Sequence, residues 1–281
     1  MADGLLLVGK PPGITSHDAI DLIRRALGIR KVGHAGTLDP MASGLLLIGV
    51  GRATRLLRFL SDLDKEYEGT ATLGVETDTL DADGRVVATS EVRVAEDEVR
   101  RALGAFVGEI AQRPPAYSAV KVGGRKLYEA ARRGEAVEAP ERRVRVDAFD
   151  LMAFRPPDVD VRVVCSSGTY VRTLVAGVGA RLGCGAHLSR LVRTRIGPYR
   201  LQDATAPDRP GDPLPPERAV AHLPRLDLDE DEARAAGHGR PLGPAGIPGP
   251  YTVFDPDGRL IGIYRDDGPR ARPEVILAPT A

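Results

Sequence analysis

One loop near the start of the chain carries a residue whose type and setting suit it to chemistry. The stretch GHAGTLDPMASG, Gly33 to Gly44, holds three glycines, one histidine and a single carboxylate, Asp39, directly before Pro40. A residue before proline is pushed into an extended conformation, and glycines let a backbone or a ligand come close. Two interpretations are open at this point. Asp39 either caps a turn or helix that begins at Pro40, or it acts as a nucleophile or base.

The composition predicts a globular protein with a large and a small domain. The chain has 281 residues, of which 42 % are hydrophobic, and its formal net charge is zero. The charges are segregated, because residues 165–200 contain six arginines and no acid, whereas residues 76–98 contain eight acids and two arginines. Such segregation either builds a positive face that attracts phosphates, or it reflects ordinary solvated surfaces whose opposite charges cancel.

The sequence contains no complete motif for metal or dinucleotide binding and no membrane-spanning run. The five histidines do not pair at ligand spacing, and Cys165 and Cys184 lie 19 residues apart, which matches no common zinc pattern. GVGRAT at Gly49 and GVGARLG at Gly177 are pieces of a dinucleotide-binding pattern, but neither lies in a strand–glycine loop–helix unit. No apolar run approaches the roughly 18 residues of a membrane span, and the N-terminus does not read as a signal peptide. We therefore expect a cytoplasmic protein with no cofactor, no metal and reduced cysteines.

The elements that must position the loop predict an α+β fold with a mixed, largely antiparallel sheet flanked by helices and loops. LLLIGV, KEYEGTATLG, RVRVDAFDLMAF and DVDVRVVCSSG predict strands. TSHDAIDLIRRALG predicts a helix with Ser16 as its N-cap and Gly28 at its end. TYVRTLVAGVGARLG predicts a second helix, which ends at Gly183. Strands and helices do not alternate regularly, so a doubly wound sheet is not expected.

Composition also divides the chain into three parts. Residues 1–203 are expected to form the main domain, and residues 204–224, which are rich in Pro and Asp, a linker. Residues 225–281 predict a small β-rich module with an acidic helix, a hairpin in YTVFDPDGRLIGIYR and a last strand in PEVIL. Nothing in the sequence demands more than a monomer.

Several long strings resemble those of one family in the same order. GHAGTLDPMASGLLLIGVGRATR resembles the signature of the pseudouridine synthases, specifically the tRNA pseudouridine synthase B family, which modifies uridine 55 in the tRNA T loop. LLLVGKPPGITSHDAI is similar to its N-terminal motif, DKEYEGTATLGVETDTLDADG to its tyrosine-bearing strand, and CSSGTYVRTLVAGVGARLGCGAHLSRLVRTRIG to its arginine motif. The resemblance covers residues 5–197 and implies a pseudouridine synthase catalytic domain. The C-terminal segment is more weakly similar to the RNA-binding PUA β-barrel.

The resemblance implies an isomerisation centred on Asp39. This residue matches the catalytic aspartate of a reaction that detaches uracil from ribose at N1, turns the base and rejoins it through C5. Arg172 matches the arginine that pairs with the aspartate. It lies in the first turn of its helix and off the apolar stripe, where a cation is unfavourable unless an anion is near. Tyr67 matches the tyrosine that stacks on the flipped uracil. The resemblance implies neither cofactor nor metal.

Further residues match positions that contact the RNA. His34 matches a histidine near the flipped base, and the pocket-lining positions are matched by Lys10, Tyr170 and Leu191. Residues 113–145 resemble an RNA-contacting thumb, in which YSAVKVGGRKLYEAARRG predicts a strand, a Gly-Gly turn and a basic helix. The candidate phosphate contacts are Lys121, Arg125, Lys126, Arg132 and Arg193. The implied partner is the T stem-loop of tRNA, with no membrane and no obligate protein partner.

Other interpretations fit parts of the sequence. A catalytically silent tRNA-folding chaperone is disfavoured because Asp39, Tyr67 and Arg172 are all present. A synthase for another RNA, such as a guide-directed one, is disfavoured by the long thumb-like segment and the small C-terminal module. A metal hydrolase built on His34 and Asp39 lacks further ligands. The acids among residues 227–232 repel RNA, so the C-terminal module is expected to bind it less strongly.

Overall fold

The computed structural model describes residues 3–118, 120–122, 125–127, 133 and 139–277, with the backbone alone at residues 121, 122, 125 and 126. The described α-helices are α1 (Ser16–Leu27), α2 (Leu57–Ser61), α3 (Glu96–Gly104), α4 (Val171–Leu182) and α5 (Glu230–Gly237). Short 3-10 helices cover Gly51–Leu56, Leu201–Asp203 and Pro216–Val220. The described strands are β1 (Gly4–Lys10), β2 (Val32–Ala35), β3 (Ser43–Val50), β4 (Lys65–Leu73), β5 (Val75–Thr77), β6 (Val86–Thr89), β7 (Gly108–Gln112), β8 (Lys121–Val122), β9 (Arg125–Lys126), β10 (Arg142–Arg155), β11 (Asp158–Cys165), β12 (Ala186–Ile196), β13 (Tyr199–Arg200), β14 (Arg225–Asp227), β15 (Pro250–Phe254), β16 (Leu260–Asp267) and β17 (Arg270–Ile276).

One mixed sheet forms the centre of the main domain. Its order is β1-β3-β12-β4-β11-β10-β7, with β2 paired to β3 and β13 paired to β12. In the described part of the chain its neighbouring strands are antiparallel except for β3 and β12, which are parallel. The predicted α+β class with a largely antiparallel sheet is confirmed. Strand β12 lies between β3, which follows the Asp39 loop, and β4, which carries Tyr67.

Helix α1 begins one residue earlier than the sequence predicted. Thr15, not Ser16, is the N-cap: its side chain accepts from the Asp18 backbone N–H, and the Asp18 carboxylate accepts from the Thr15 backbone N–H. This reciprocal pair satisfies two donors that a helix start leaves open. Ser16 is therefore free for another role. Its hydroxyl accepts from Leu38 N at 2.9 Å and donates to Leu38 O at 3.1 Å. Helix α1 thus holds the residue that precedes Asp39.

Helix α4 follows the predicted apolar stripe and packs against β12 and α3. Its residues Val171, Leu174, Val175 and Val178 are buried, and the helix ends at Gly183, whose φ of 78° is in the left-handed region. The buried side chains of α1, α3 and α4 form one hydrophobic cluster with those of the main sheet. This packing fixes the first turn of α4, and with it Arg172, relative to the centre of the sheet.

The C-terminal strands form a second sheet in the order β14-β15-β16-β17, with α5 packed on β16. Strands β14 and β17 are the two ends of this path, so in the described residues the sheet is open, whereas the PUA module of the resemblance is a barrel. Ile263 and Val275 of this sheet share a hydrophobic cluster with Leu5, Leu47 and Phe59 of the main domain. The two parts are therefore joined by a common apolar contact.

The segment 204–224 lies along the edge of the main sheet. Leu5 and Leu214 exchange two backbone hydrogen bonds of 2.8 Å, and Thr205 N donates to Leu7 O at 3.0 Å. These bonds occupy the outer side of β1, which is an end strand of the sheet. The Pro- and Asp-rich composition that suggests a linker therefore belongs to a segment that covers a sheet edge, as exposed edges require.

Candidate active site

The Gly33–Gly44 loop places Asp39 against a buried arginine. Arg172 Nη2 donates to Asp39 Oδ1 at 3.1 Å, and Arg172 Nε lies 2.9 Å from Asp39 Oδ2. The Arg172 side chain is 4 % exposed, whereas that of Asp39 is 34 % exposed. The structure thus brings together two residues that are far apart in the sequence. The guanidinium covers one side of the carboxylate and leaves another side open to a ligand.

A second carboxylate, Asp81, shares the same guanidinium. Arg172 Nη1 donates to Asp81 Oδ2 at 3.0 Å and to Thr79 O at 2.9 Å, and Nη2 also donates to Tyr117 O at 3.0 Å. Asp81 is 4 % exposed, and its Oδ1 accepts from Thr79 Oγ1 at 2.6 Å. Sequence reasoning missed Asp81. Its signal was the acid-rich string TDTLDADG, which begins at the end of β5, the strand after the tyrosine-bearing β4.

Lys10 holds the other side of the loop through hydrogen bonds to backbone carbonyl groups. The Lys10 ammonium donates to Pro11 O, Ile14 O and Pro40 O at 2.9, 2.6 and 3.2 Å. Gly13 N also donates to Pro40 O, at 2.9 Å. Lys10 is only 1 % exposed, so it does not line an open pocket as the resemblance implied. Its contacts instead fix the residue that follows Asp39.

Burial and neighbouring charges set the protonation of this centre. Burial raises the pKa of Asp39 above its ordinary value; Arg172 and Lys10 oppose the rise, and the Asp81 carboxylate adds to it. Burial also lowers the pKa of Lys10 to about 8, against the opposing effect of Asp39. A carboxylate with a raised pKa is a stronger base, and a guanidinium bound to it favours its ionised form. The site can therefore attack an electrophilic carbon or accept a proton.

Tyr67 and Leu191 lie on the two central strands of the sheet. Tyr67 on β4 is 8 % exposed and Leu191 on β12 is 6 % exposed, and both belong to the main apolar cluster. Burial raises the pKa of Tyr67, and the Arg193 guanidinium lies close enough to the Tyr67 hydroxyl to oppose that rise; Asp39 adds to it. The Tyr67 hydroxyl is thus a neutral group near the Asp39 carboxylate.

Tyr170 lies two residues before Arg172, and the side chain of Gln112 holds the Tyr170 backbone. Gln112 Oε1 accepts from Tyr170 N at 2.8 Å, and Gln112 Nε2 donates to Tyr170 O at 3.1 Å. The Arg142 guanidinium lies over the Tyr170 ring, 5.0 Å from its centre. This double contact fixes the start of α4. Gln112 and Arg142 were also missed, because they lie on β7 and β10, far in the sequence from their partner Tyr170 at the start of α4.

His34 lies on β2, and its Nδ1 is buried without a hydrogen-bond partner. Burial lowers its pKa, and the Arg193 charge lowers it further. His34 is consequently neutral near pH 7 and can offer a ring nitrogen to a ligand.

The predicted phosphate contacts lie in different places. Arg193 is 1 % exposed, and its guanidinium donates to backbone carbonyl groups, so the predicted phosphate contact of Arg193 is corrected: a buried guanidinium has no face for RNA. Lys121 on β8 pairs with Lys126 on β9, and Arg125 belongs to the same two-stranded ribbon. The strand Lys121–Val122 matches the predicted strand, and the predicted Gly-Gly turn lies outside the described residues. Arg132 and the predicted basic helix lie outside the described residues.

Among residues 3–118, 120–122, 125–127, 133 and 139–277, no group of three or more His, Cys, Asp or Glu side chains is arranged to hold a metal ion. No helix within these same residues is long and apolar enough to cross a membrane. Cys165 and Cys184 are buried and free.

Comparison with known proteins identifies the class to which this fold and site belong. The family model described as "TruB family pseudouridylate synthase (N terminal domain)" matches residues 24–171, and that described as "tRNA Pseudouridine synthase II, C terminal" matches residues 223–278. The chain with this mixed sheet is thus a pseudouridine synthase, an isomerase of uridine in RNA. Within that class, the chain belongs to the TruB family.

Relatives and solved structures agree over nearly the full length. The tRNA pseudouridine synthase B of Mycobacterium sp. (strain KMS) is 46 % identical over 98 % of this chain and 96 % of its own length. That of Aromatoleum aromaticum is 45 % identical over 95 % of this chain and 90 % of its own length. A structure of an H/ACA RNP bound to a substrate RNA containing 2′-deoxyuridine aligns with a TM-score of 0.75 at 25 % identity, covering 98 % of this chain and 85 % of that chain. A crystal structure of a Cbf5-Nop10-Gar1 complex aligns with a TM-score of 0.74 at 26 % identity, covering 97 % of this chain and 84 % of that chain.

Proposed function

We propose that this protein converts uridine 55 of the tRNA T loop to pseudouridine, with Asp39 as its catalytic carboxylate. The observation that carries the proposal is the half-open Asp39 carboxylate bound to the buried Arg172. In the reaction the N1–C1′ bond breaks and a C5–C1′ bond forms. The proton on C5 is released and one is taken up at N1, so substrate and product have the same composition and no cofactor is required.

Asp39 begins the reaction in its ionised form. It either attacks the sugar or the base as a nucleophile, or removes a proton from the sugar, and both routes use the same open carboxylate face. Arg172 keeps the carboxylate ionised and oriented, since its own position is fixed by Asp81 and by the carbonyl groups of Thr79 and Tyr117.

The target base must leave its stack to reach Asp39. Tyr67 and Leu191 are proposed to receive the flipped uracil, because they lie on adjacent central strands near the carboxylate. Stacking on an aromatic side chain contributes about 1–3 kcal/mol per base. His34 and Tyr170 are proposed to contact the nucleotides around the flipped base.

The tRNA is proposed to bind by its T stem-loop. Residues 113–145 supply the thumb-like arm, and Lys121, Arg125, Lys126 and Arg132 its phosphate contacts. The catalytic domain is assigned to residues 1–203 and a PUA-like RNA-binding module to residues 225–281, with residues 204–224 between them.

The test is pseudouridine formation in an unmodified tRNA transcript, without cofactor or metal. The wild type, Asp39→Asn and the exposed control Asp231→Asn on α5 are compared, with a second transcript that carries cytidine at position 55. Conversion at position 55 by the wild type and the control, but not by Asp39→Asn, is the expected result. Conversion at another position would refute the assigned site. Binding without conversion by the wild type would favour a chaperone or a guide-dependent synthase, and conversion by Asp39→Asn would remove Asp39 from its role.

A further inference from the structure

Arg193 is a buried cation with an unusual set of partners. Its Nε donates to Leu45 O at 2.8 Å, its Nη2 to Gly36 O at 3.1 Å and its Nη1 to Thr37 O at 3.4 Å. The side chain is 1 % exposed, and within the described residues it forms no ion pair with an acid. Burial of a guanidinium without a carboxylate is costly.

The three carbonyl groups belong to the two ends of the Asp39 loop. Gly36 and Thr37 lie just before Asp39, and Leu45 lies just after Gly44 at the start of β3. A planar guanidinium holds its donors in a fixed fork, so it sets the distance between these two ends. Arg193 therefore closes the base of the loop, whereas Lys10 and Ser16 hold its middle.

The glycines of the loop permit this approach. Gly44 has φ of 112°, and a Cβ there would lie 2.4 Å from Arg193 O. Gly36 has φ of 83°, and a Cβ there would lie 3.6 Å from Arg193 Nη1. The loop thus comes into direct contact with β12 at the Arg193 backbone and side chain. Two of the three glycines that mark the loop in the sequence lie at this contact.

Arg193 also faces the neighbouring strand. It is in register with Gly44 on β3 and with Tyr67 on β4. Side chains directly opposite each other on adjacent strands lie on the same face of a sheet. One residue consequently contacts the loop that carries Asp39 and lies opposite Tyr67, with its guanidinium near the Tyr67 hydroxyl.

We propose that Arg193 is a positioning residue that fixes the Asp39 loop relative to Tyr67, so that the carboxylate meets the nucleotide whose base is stacked on that ring. The proposal rests on the proposed function for the identity of the base. It assigns Arg193 no contact with RNA. Its effect is on the chemical step, because a shift of about 1 Å at a reacting group can cost about 100-fold in rate.

The first experiment compares Arg193→Lys, Arg193→Met and the wild type in single-turnover pseudouridine formation, with the enzyme in saturating excess over tRNA. Arg155→Lys is the matched control, since Arg155 pairs with Asp160 on an exposed part of the same sheet. Arg193→Lys keeps the charge but loses the fork, so we expect its rate to fall at least tenfold, with tRNA affinity within twofold of wild type. A wild-type rate in folded Arg193→Lys would overturn the proposal, as would a loss confined to tRNA affinity.

A second measurement does not depend on turnover. Protein with 13Cζ-labelled tyrosine is compared at pH 7.5 by NMR, with the Tyr67 signal assigned from Tyr67→Phe. A changed Tyr67 shift in Arg193→Lys, with no change in Arg155→Lys, is expected. An unchanged shift would overturn the link between Arg193 and Tyr67, even where the transcript is not converted. Failure of the wild type to convert tRNA counts against the proposed function alone.

Discussion

Replacement of Asp81 by Asn tests whether Arg172 needs two carboxylates. Asn has nearly the same shape, and its Oδ1 can still accept from Thr79 Oγ1. Its amide group, however, then faces Arg172 Nη1, so the 3.0 Å charge-assisted bond is lost. Such a bond contributes about 1.5–3 kcal/mol. If that energy holds Arg172 in its catalytic position, the single-turnover rate falls about 10- to 150-fold, since 1.36 kcal/mol corresponds to a factor of ten.

The pH profile separates this effect from a general loss of structure. The Asp81 charge contributes to the raised pKa of Asp39. Its removal leaves Arg172 to act on Asp39 alone, so the pKa of Asp39 falls and the acid limb of the rate profile moves to lower pH. The variant is therefore expected to have a lower plateau and an acid limb that begins at lower pH.

The assay is single-turnover conversion of the tRNA transcript by a saturating excess of enzyme from pH 4 to pH 8. Asp83→Asn is the matched control, because Asp83 lies in the same loop with an exposed side chain. A plateau equal to wild type in a folded Asp81→Asn protein would refute the role given to Asp81. An acid limb that moves to higher pH would refute the electrostatic reasoning.

Three further results are expected. The wild-type rate should fall as the pH is lowered through the pKa of Asp39, because only the ionised carboxylate is active. The midpoint of this fall should lie above 3.8, the pKa of an ordinary aspartate. A midpoint below 3.8 in the single-turnover profile would contradict this prediction. Lys65 is buried with a pKa of about 8 instead of 10.5, so the unfolded state binds more protons and the free energy of unfolding rises between these pH values. Urea denaturation should show a smaller rise for Lys65→Met than for the wild type. Equal slopes of the unfolding free energy against pH in the two proteins would contradict this assignment. Ser16→Ala loses both hydrogen bonds to Leu38 and should lower the free energy of unfolding by about 1–3 kcal/mol. Its single-turnover rate should also be slower. A loss of unfolding free energy below about 0.5 kcal/mol would contradict the role given to these two hydrogen bonds.

Local features of the sequence were sufficient for much of the fold. Alternation predicted β4, β10 and β11, and a 3.6-residue stripe ending at Gly183 predicted α4. These signals operate within a few residues, because side-chain direction and capping depend on near neighbours. The N-cap of α1 was misplaced by one residue, since Thr15 and Ser16 are both good caps and the choice depends on the Leu38 backbone.

The sequence by itself determined that Asp39 is held rigidly before Pro40, and that Arg172 lies at the start of a helix, off its apolar stripe. The tertiary structure decided which groups share that guanidinium and which arginine is buried. Asp81 reaches Arg172 only because α4 packs beside the loop after β5, and Arg193 is buried only because β12 lies between β3 and β4. Arg193 is in phase with the buried Leu191, a signal readable once β12 is known to be central. Strand order and burial depend on the free energy of the whole packed sheet, and no local pattern of residues encodes them.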